Sequence, residues 1–154
     1  MQRYFLDNKH FHDGYVNITG DDAKHIVRVM RMKVGNEIIC CNTKGFCYLT
    51  EITNITNDTV TAKVISQEMK KVELPIHVTI AHGLPKGDKF ELVIQKGTEL
   101  GAASFIPFEA ERSVVKLDEK KTEKKVERWN KIAKEAAEQS HRQVLPAVSS
   151  VLSL

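Results

Sequence analysis

The sequence predicts an α+β protein in which a small β-barrel with one helix is followed by a β-α-β-α-β unit. Two patterns carry this prediction. In the first half, short apolar runs alternate with turn residues, which indicates an antiparallel meander. In the second half, strand patterns alternate with helical patterns, which is typical of a parallel sheet. The charged segment Gln67 to Leu74 precedes Pro75 and resembles a linker, so we predict a domain boundary near residue 72, separating residues 1–72 from 73–154.

One helix and three strands are predicted in the first domain. The helix follows the capping residues Asp21 and Asp22 and is expected to end near Arg31. Its apolar side chains recur at i, i+3, i+4 and i+7 on one helical face, and they are Ala23, Ile26, Val27 and Met30. Turn residues then separate strand patterns at residues 37–41, 46–55 and 60–65. A meander of this kind closes most simply into a small barrel.

The second domain begins with a strand near residues 76–80. Asp88 can cap the next helix, with Glu91 three residues later, and Gly101 ends that helix. The remaining elements are predicted as a strand at 103–108, a long helix at 122–142 and a third strand within 144–154. This order gives a parallel sheet with right-handed crossovers. Such sheets are normally covered on both faces, so we expect either a partner subunit here or a sequence that is cut short.

The bulk composition limits the classes of function. Hydrophobic residues make up 42% of the 154 residues and charged residues 28%, which is ordinary for a soluble globular protein. No apolar run approaches the roughly 20 residues of a membrane span, and the N-terminus lacks the apolar segment of a signal peptide. We therefore expect a cytoplasmic protein that does not contact a membrane. The net charge of +3 is too small to indicate nucleic-acid binding by itself.

The cysteines and histidines predict neither a disulfide framework nor a metal site. Cys40, Cys41 and Cys47 are odd in number, and the adjacent pair would point to opposite faces of a strand. We expect them to be small apolar side chains in a reducing compartment. The histidines show no zinc-ligand spacing, and His10 with His12 is a weak signal. No metal is predicted.

The first helix carries a basic face. Lys24, Arg28 and Arg31 recur at i, i+4 and i+7, and residues 23–34 contain no acid. A basic face without acids suits contacts with RNA phosphates, because each contact adds salt-dependent affinity through counterion release. A solvated helix face is the alternative, and the pattern leaves both interpretations open.

The long helix of the second domain has two polar features. Glu135, Gln139 and Arg142 recur at i, i+4 and i+7, so they are predicted to share one face. Ordinary i,i+4 ion pairs, such as Glu138 with Arg142, are the alternative. The lysine-rich run at residues 116–134 is interleaved with acids, which favours a solvated helix face.

Further polar residues lie at the ends of predicted elements. Glu99 is in the last turn of its helix, where an acid opposes the helix dipole, and a simple pair with Lys96 is the alternative to a functional role. Arg112 and Lys116 follow a strand, and ligands bind at the carboxyl ends of parallel strands. A guanidinium group there suits phosphate or carboxylate. The sequence contains no P-loop, no Gly-x-Gly-x-x-Gly and no nucleophile motif.

Six motifs spread along the chain belong together. They are Met1-Gln-Arg3-Tyr-Phe5, His25-Ile-Val-Arg28-Val-Met-Arg31-Met, Gly83-Leu-Pro-Lys86-Gly-Asp-Lys, Gln95-Lys96-Gly-Thr-Glu99-Leu-Gly101, Pro107 with Arg112-Ser113, and Trp129-x-Lys131-Ile-Ala-x-Glu135-Ala-Ala-Glu-Gln139-Ser-x-Arg142-x-x-x-Pro146. Together they resemble the ribosomal RNA small subunit methyltransferase E family. The resemblance implies a PUA-like RNA-binding barrel followed by a knotted SPOUT methyltransferase domain. It also implies a homodimer that methylates uridine N3 of 16S ribosomal RNA, free or in the assembled small ribosomal subunit, with S-adenosylmethionine.

The resemblance covers only the N-terminal portion of that family. Two motifs that it assigns to the knot and the methyl donor, Gly-Pro-Glu-Gly-Gly and Leu-Arg-x-Glu-Thr-Ala, do not occur in this sequence. We therefore expect the S-adenosylmethionine site to lie in a missing C-terminal part, with no cofactor-binding residue in this chain. The 154-residue chain is expected to be inactive alone. The alternative is a non-catalytic module for RNA binding and dimerisation.

The resemblance also implies roles for individual residues. Methylation of uridine N3 requires an unpaired, oriented base and a group that accepts the N3 proton. The candidates for catalytic roles are Glu99, Arg112, Glu135, Gln139 and Arg142. The arginines and the glutamine would orient the uracil or an RNA phosphate, and one of the glutamates would support them or accept the proton. The candidates for RNA binding are Arg3, Lys24, Arg28 and Arg31.

Overall fold

A computed structural model describes residues 1–109 and 118–153. The chain divides into two compact units, Met1–Lys71 and Val72–Leu154. The strands are β1 Arg3–Leu6, β2 Phe11–His12, β3 Tyr15–Thr19, β4 Glu37–Asn42, β5 Cys47–Ile55, β6 Thr59–Gln67, β7 Thr79–Gly83, β8 Ser104–Glu109, β9 Ala147–Val148 and β10 Leu152–Ser153. The helices are α1 Gly20–Lys24, α2 Lys89–Glu99 and α3 Glu119–Gln139, with a 3₁₀ turn at Asn8–His10 and a π-helical turn at His25–Val29.

The first unit is a curled six-stranded sheet in the order β1-β4-β5-β6-β3-β2. Strand β1 pairs in parallel with β4, and the other neighbours pair antiparallel. The register between β5 and β6 shifts at Leu49/Thr50 and again at Ile52/Asn54. Irregularities of this kind bend a strand and increase its twist, which curls the sheet around its core. The predicted meander is confirmed, but the sequence pattern did not locate the first three strands.

The core of the first unit is built from alternate residues of the strands and one side of the helix. In β3, Val16 and Ile18 are fully buried while their neighbours are exposed. They pack with Ile38 and Ile52 from the central strands and with Ile26 from the helix. Each buried aliphatic side chain of this size contributes about 1.5–3 kcal/mol. This core fixes the helix against the sheet and leaves its polar side facing water.

One cysteine prediction is wrong. Cys41 and Cys47 are joined by a disulfide, with Cα atoms 4.0 Å apart. They lie directly opposite each other in the β4–β5 pair, a register that residue counting could not reveal. Cys40 is the buried free cysteine; burial raises the pKa of its thiol to about 12 despite a hydrogen bond with Thr50.

The second unit confirms the predicted β-α-β-α-β order. Strands β7, β8 and β10 form a parallel sheet in the order β10-β8-β7, and β9 also pairs with β8. The predicted third strand is thus two short strands on the same neighbour. Helices α2 and α3 pack through Phe90 and Trp129, whose ring centroids are 4.9 Å apart, edge to face. Gly97 brings α2 close to the sheet, since a Cβ there would lie 2.7 Å from the Phe105 ring.

No helix in the described part of the chain is long and apolar enough to cross a membrane. Within residues 1–109 and 118–153, no group of three or more His, Cys, Asp or Glu is placed to hold a metal ion.

Candidate functional site

The basic helix of the first unit ends in a widened turn. Helix α1 has only five residues, and the following π-helical turn is closed by the Met30 N–H donating to the His25 carbonyl at 2.9 Å. Arg31 then adopts a left-handed backbone conformation with a φ of 51°. The helical segment thus ends close to the predicted position near Arg31, but its second half is π-helical. Single π-helical turns are rare and occur often at functional sites.

Two arginines at this turn are available for a ligand. Arg28 and Arg31 are exposed, and neither makes an ion pair with another described residue. Lys24 is also exposed, but its ammonium group lies 3.3 Å from a carboxylate oxygen of Asp21. The turn thus presents two guanidinium groups to water and one lysine whose charge is partly offset.

The turn is anchored to the sheet by a polar contact. The Tyr4 hydroxyl is 3.0 Å from Nδ1 of His25, and the two rings meet edge to face. Tyr4 is fully buried in β1. A buried tyrosine hydroxyl needs a hydrogen-bond partner, so this contact ties the position of the turn to β1.

Arg3 lies inside the first unit. Its residue is only 3% exposed, and its guanidinium group donates to both carboxylate oxygens of Glu68 at 2.8 and 3.1 Å. It also approaches Sγ of Cys47 at 3.7 Å. In this structure Arg3 therefore holds β1 to the chain that follows β6, and its predicted contact with RNA stays a prediction.

Arg142 is the centre of a buried polar cluster in the second unit. Its Nε and Nη2 donate to the Glu73 carboxylate at 2.6–3.0 Å. Its Nη1 donates to the backbone carbonyls of Thr98 and Ala102, each at 2.9 Å. A single side chain thereby fixes the end of α2, the turn after it and the segment before β7.

The Glu73 carboxylate accepts hydrogen bonds from a side chain and from the backbone. Besides Arg142, it accepts hydrogen bonds from the backbone N–H groups of Gln143 at 2.7 Å and Val144 at 3.0 Å. Partial burial alone would raise the pKa of this carboxyl, but the hydrogen bonds from Arg142, Gln143 and Val144 lower it below its usual value. The linker pattern gave no signal of this role, because an acid before a proline is common in loops.

The predicted face of Glu135, Gln139 and Arg142 is not formed. Helix α3 ends at Gln139, and His141 turns the chain with a φ of 56°, so Arg142 points into the protein. Glu135 and Gln139 are exposed on the helix. The structure therefore separates Arg142 from these two side chains.

The other catalytic candidates have simple surroundings or lie outside the described residues. The Glu99 carboxylate is paired with the Lys96 ammonium group at 2.8 Å, which is the alternative that the sequence left open. Arg112 lies outside the described residues. The backbone links Glu99 to the Arg142 cluster through its neighbour Thr98, but its side chain faces Lys96.

Two glycines, Gly97 in α2 and Gly101 in the turn after it, pack against side chains of their own unit. A nucleotide-like ligand often rests against glycine backbone, because no Cβ blocks its approach. Here a Cβ on Gly97 would meet Phe105 and Ile80, and one on Gly101 would meet Leu74 at 2.7 Å. These glycines serve the packing of the unit itself.

Comparisons with known proteins agree with this architecture. A family model described as an RNA methyltransferase domain matches residues 72–154, and one described as an RNA methyltransferase PUA domain matches residues 18–65. The fold and these matches define a class of RNA-modifying proteins with a PUA domain and a SPOUT-type methyltransferase domain. The chain belongs to the ribosomal RNA small subunit methyltransferase E family. The predicted fold class, a PUA-like barrel followed by the first part of a SPOUT domain, is confirmed.

Individual relatives share much of this chain but extend further. The ribosomal RNA small subunit methyltransferase E of Bacillus subtilis is 54% identical over 99% of this chain, which spans 61% of that protein. The protein of the same name from Synechocystis is 36% identical over 90% of this chain, which spans 44% of it.

Two solved structures have the same fold over nearly the whole chain. The Neisseria gonorrhoeae ribosomal RNA small subunit methyltransferase E bound to S-adenosylmethionine has a TM-score of 0.89 and 25% identity, with 99% of this chain and 63% of that chain covered. A Legionella pneumophila methyltransferase, described as putative and in complex with the same cofactor, has a TM-score of 0.88 and 26% identity, with 98% and 62% covered.

Proposed function

We propose that this chain supplies the RNA-binding barrel and part of the catalytic scaffold of an enzyme that methylates uridine N3 in 16S ribosomal RNA. The observation that carries the proposal is the 54% identity to a ribosomal RNA small subunit methyltransferase over 99% of this chain. The methyl donor would be S-adenosylmethionine, which is bound in the Neisseria relative. The work of such an enzyme on ribosomal RNA supports a cytoplasmic location.

The RNA-binding part of the proposal rests on the turn after α1. Arg28 and Arg31 are exposed and unpaired among the described residues, and residues 23–34 contain no acid. Guanidinium groups bind phosphate oxygens through two parallel hydrogen bonds. Within the proposed RNA-binding barrel, residues 1–72, we assign the phosphate contacts to Lys24, Arg28 and Arg31 only. Arg3 would act by supporting β1, since it is buried against Glu68.

The second part concerns the methyl donor. We propose that residues 73–154 do not hold S-adenosylmethionine by themselves. The sequence lacks Gly-Pro-Glu-Gly-Gly and Leu-Arg-x-Glu-Thr-Ala, the two motifs assigned above to the knot and the methyl donor, and this supports the proposal. The packing of Gly97 and Gly101 against side chains of their own unit also supports it. In this account Arg142 is a positioning residue, while Glu99, Arg112, Glu135 and Gln139 remain proposed substrate-side residues.

A non-catalytic RNA-binding and dimerisation module is the second candidate. The observation that favours it is the exposure of apolar side chains on and next to α2: Leu92 of the helix is 58% exposed, and Leu100, which follows its last residue, is 79% exposed. Large exposed apolar side chains on one helix suit a contact with a second copy. The self-association of the chain can be measured by sedimentation equilibrium.

Two titrations test the proposal. Calorimetric titration with S-adenosylmethionine is expected to give no measurable binding to the 154-residue chain, and micromolar binding would show that the donor site has been misplaced. Binding of labelled 16S ribosomal RNA, followed against salt, is expected for the wild type. The Arg28→Gln/Arg31→Gln variant should bind this RNA more weakly. The slope of its log affinity against log salt concentration should be smaller in magnitude by about 0.7 to 0.9 per lost phosphate contact. The matched control is Lys44→Gln/Lys71→Gln, which removes equal charge elsewhere.

A further inference from the structure

The lysines and acids that alternate along the start of α3 separate on the helix surface. At 3.6 residues per turn, one sector of about 140° within residues 120–131 collects six bases and no acid. These bases are Lys120, Lys121, Lys124, Lys125, Arg128 and Lys131. Glu123 and Glu127 are four residues apart and stack on the neighbouring sector. We call Lys120, Lys121, Lys124 and Lys125 the α3 lysine face.

No described side chain neutralises the α3 lysine face. All four lysines are exposed, and none is paired with a described side chain. The neighbouring bases differ: Arg128 pairs with Glu91 of α2 at 2.7 Å, and Lys134 approaches Glu138 at 3.7 Å. Among the described acids, Glu91 and Glu138 are thus paired with other bases.

Two local effects in α3 disfavour these lysines. Lys120 and Lys121 lie in the first turn of α3, where the helix dipole favours acids and disfavours bases. The pairs Lys120/Lys124 and Lys121/Lys125 place like charges at i,i+4, which is also destabilising. A bound polyanion would offset both costs at once.

The position in the fold also suits a ligand. Strands β7 and β8 are parallel and end opposite each other, with Gly83 paired with Phe108. Helix α2 follows β7 and begins at the carboxyl edge of the sheet, where ligands of such folds bind. The Arg128–Glu91 pair holds the middle of α3 beside the start of α2. Because Arg142, just after α3, contacts Thr98 near the end of α2, the two helices run in the same direction and residues 120–125 extend past this edge.

We propose that the α3 lysine face is a second RNA-binding surface, which contacts phosphates of the same RNA class that the barrel helix binds. This inference rests on the proposed function, because it requires that the chain binds RNA. RNA fits better than an acidic protein, since protein interfaces are depleted in lysine at their centres and the face contains no aromatic or large apolar side chain. The RNA methyltransferase domain match over residues 72–154 covers the whole helix.

Three variants of the 154-residue chain test this inference by fluorescence anisotropy with a labelled single-stranded RNA at increasing salt. The first carries Lys→Gln changes at Lys120, Lys121, Lys124 and Lys125. The control carries the same change at four exposed lysines of the first unit, Lys9, Lys44, Lys63 and Lys71. The third is Lys24→Gln/Arg28→Gln/Arg31→Gln. Glutamine has nearly the helix propensity of lysine, so α3 should stay folded, which far-UV circular dichroism checks.

The α3 variant is expected to lower the salt slope by about 2 to 3, since each single-strand phosphate contact contributes about 0.7, and the control should keep most of the wild-type slope. A wild-type slope and affinity in the α3 variant, or an equal loss in the control, would overturn the inference. If only the barrel variant loses binding, this inference fails and the proposed function stands. If only the α3 variant loses it, the barrel assignment fails instead.

Two remaining outcomes also decide the question. If the wild-type chain binds no RNA at any salt concentration, both this inference and the RNA-binding part of the proposed function fail. If polyglutamate of equal charge competes as strongly as unlabelled RNA, the face is a site for acidic proteins and the RNA assignment is overturned. Weak competition by polyglutamate supports RNA.

Discussion

At the scale of single residues, Arg142 and Glu73 show that the contacts of a polar side chain depend on the backbone conformation beside it. Sequence spacing predicted Arg142 on the open face of α3, because i, i+4 and i+7 share a face only while the helix continues. The left-handed turn at His141 ends that periodicity and sends the guanidinium group to Glu73. No spacing rule could predict this partner, which lies 69 residues earlier.

Removal of Arg142 should destabilise the protein strongly. Arg142→Ala leaves the Glu73 carboxylate and two buried carbonyl groups without their donor, and the loss of one partner of a buried pair costs about 3–5 kcal/mol. Because Glu73 is partly exposed, we expect the lower end of this range in urea unfolding. Lys96→Ala, which removes an exposed pair, should cost less than about 1 kcal/mol. Equal stability of the two variants would contradict a stabilising role of the Arg142–Glu73 pair.

The same pair should make stability depend on pH. The pKa of Glu73 is lowered in the folded protein, so its contribution is fully present above the ordinary glutamate value of 4.5 and is lost as the pH falls through the lower folded value. Glu73→Gln should therefore have a flatter decline of unfolding free energy below pH 4.5 than the wild type. Glu99→Gln is the control, and an unchanged acid decline in Glu73→Gln would count against the assignment.

At the scale of elements, hydrophobic periodicity predicted the helices that bury one face. It did not predict features that depend on local backbone conformation or on strand register. Helices α2 and α3 were predicted because buried positions lie four residues apart in each, Phe90 and Ile94 in α2 and Trp129 and Ala133 in α3. Strand β1 gave no pattern, since its four residues are all buried and do not alternate. The π-helical turn has no period of its own in the sequence, and the Cys41–Cys47 bond depends on strand register.

The disulfide should stabilise the first unit only modestly. It closes a short loop, because its cysteines are six residues apart, and loop-closure entropy then predicts about 2 kcal/mol. Urea unfolding in the presence of dithiothreitol should show this loss for the wild type. The Cys41→Ser/Cys47→Ser variant should not respond to the reductant. A wild type that is insensitive to reduction would show that the bond adds nothing to stability.

At the scale of the whole molecule, each unit has its own buried core and its own basic surface. The core clusters of the two units share no residue. One basic surface lies at the end of α1 and the other at the start of α3. The fold and the family could be predicted from the sequence motifs. The separation of Arg142 from Glu135 and Gln139 could be recognised only in the structure. The central claim is that this chain meets RNA through these two surfaces.

Crosslinking tests that claim most directly. A 16S ribosomal RNA fragment carrying 4-thiouridine is irradiated with the 154-residue chain, and the crosslinked peptides are identified by mass spectrometry. We predict crosslinks in peptides that contain residues 24–31 and 120–125, and their loss at high salt. Crosslinks confined to other parts of the chain, with these two segments unmodified, would contradict the account.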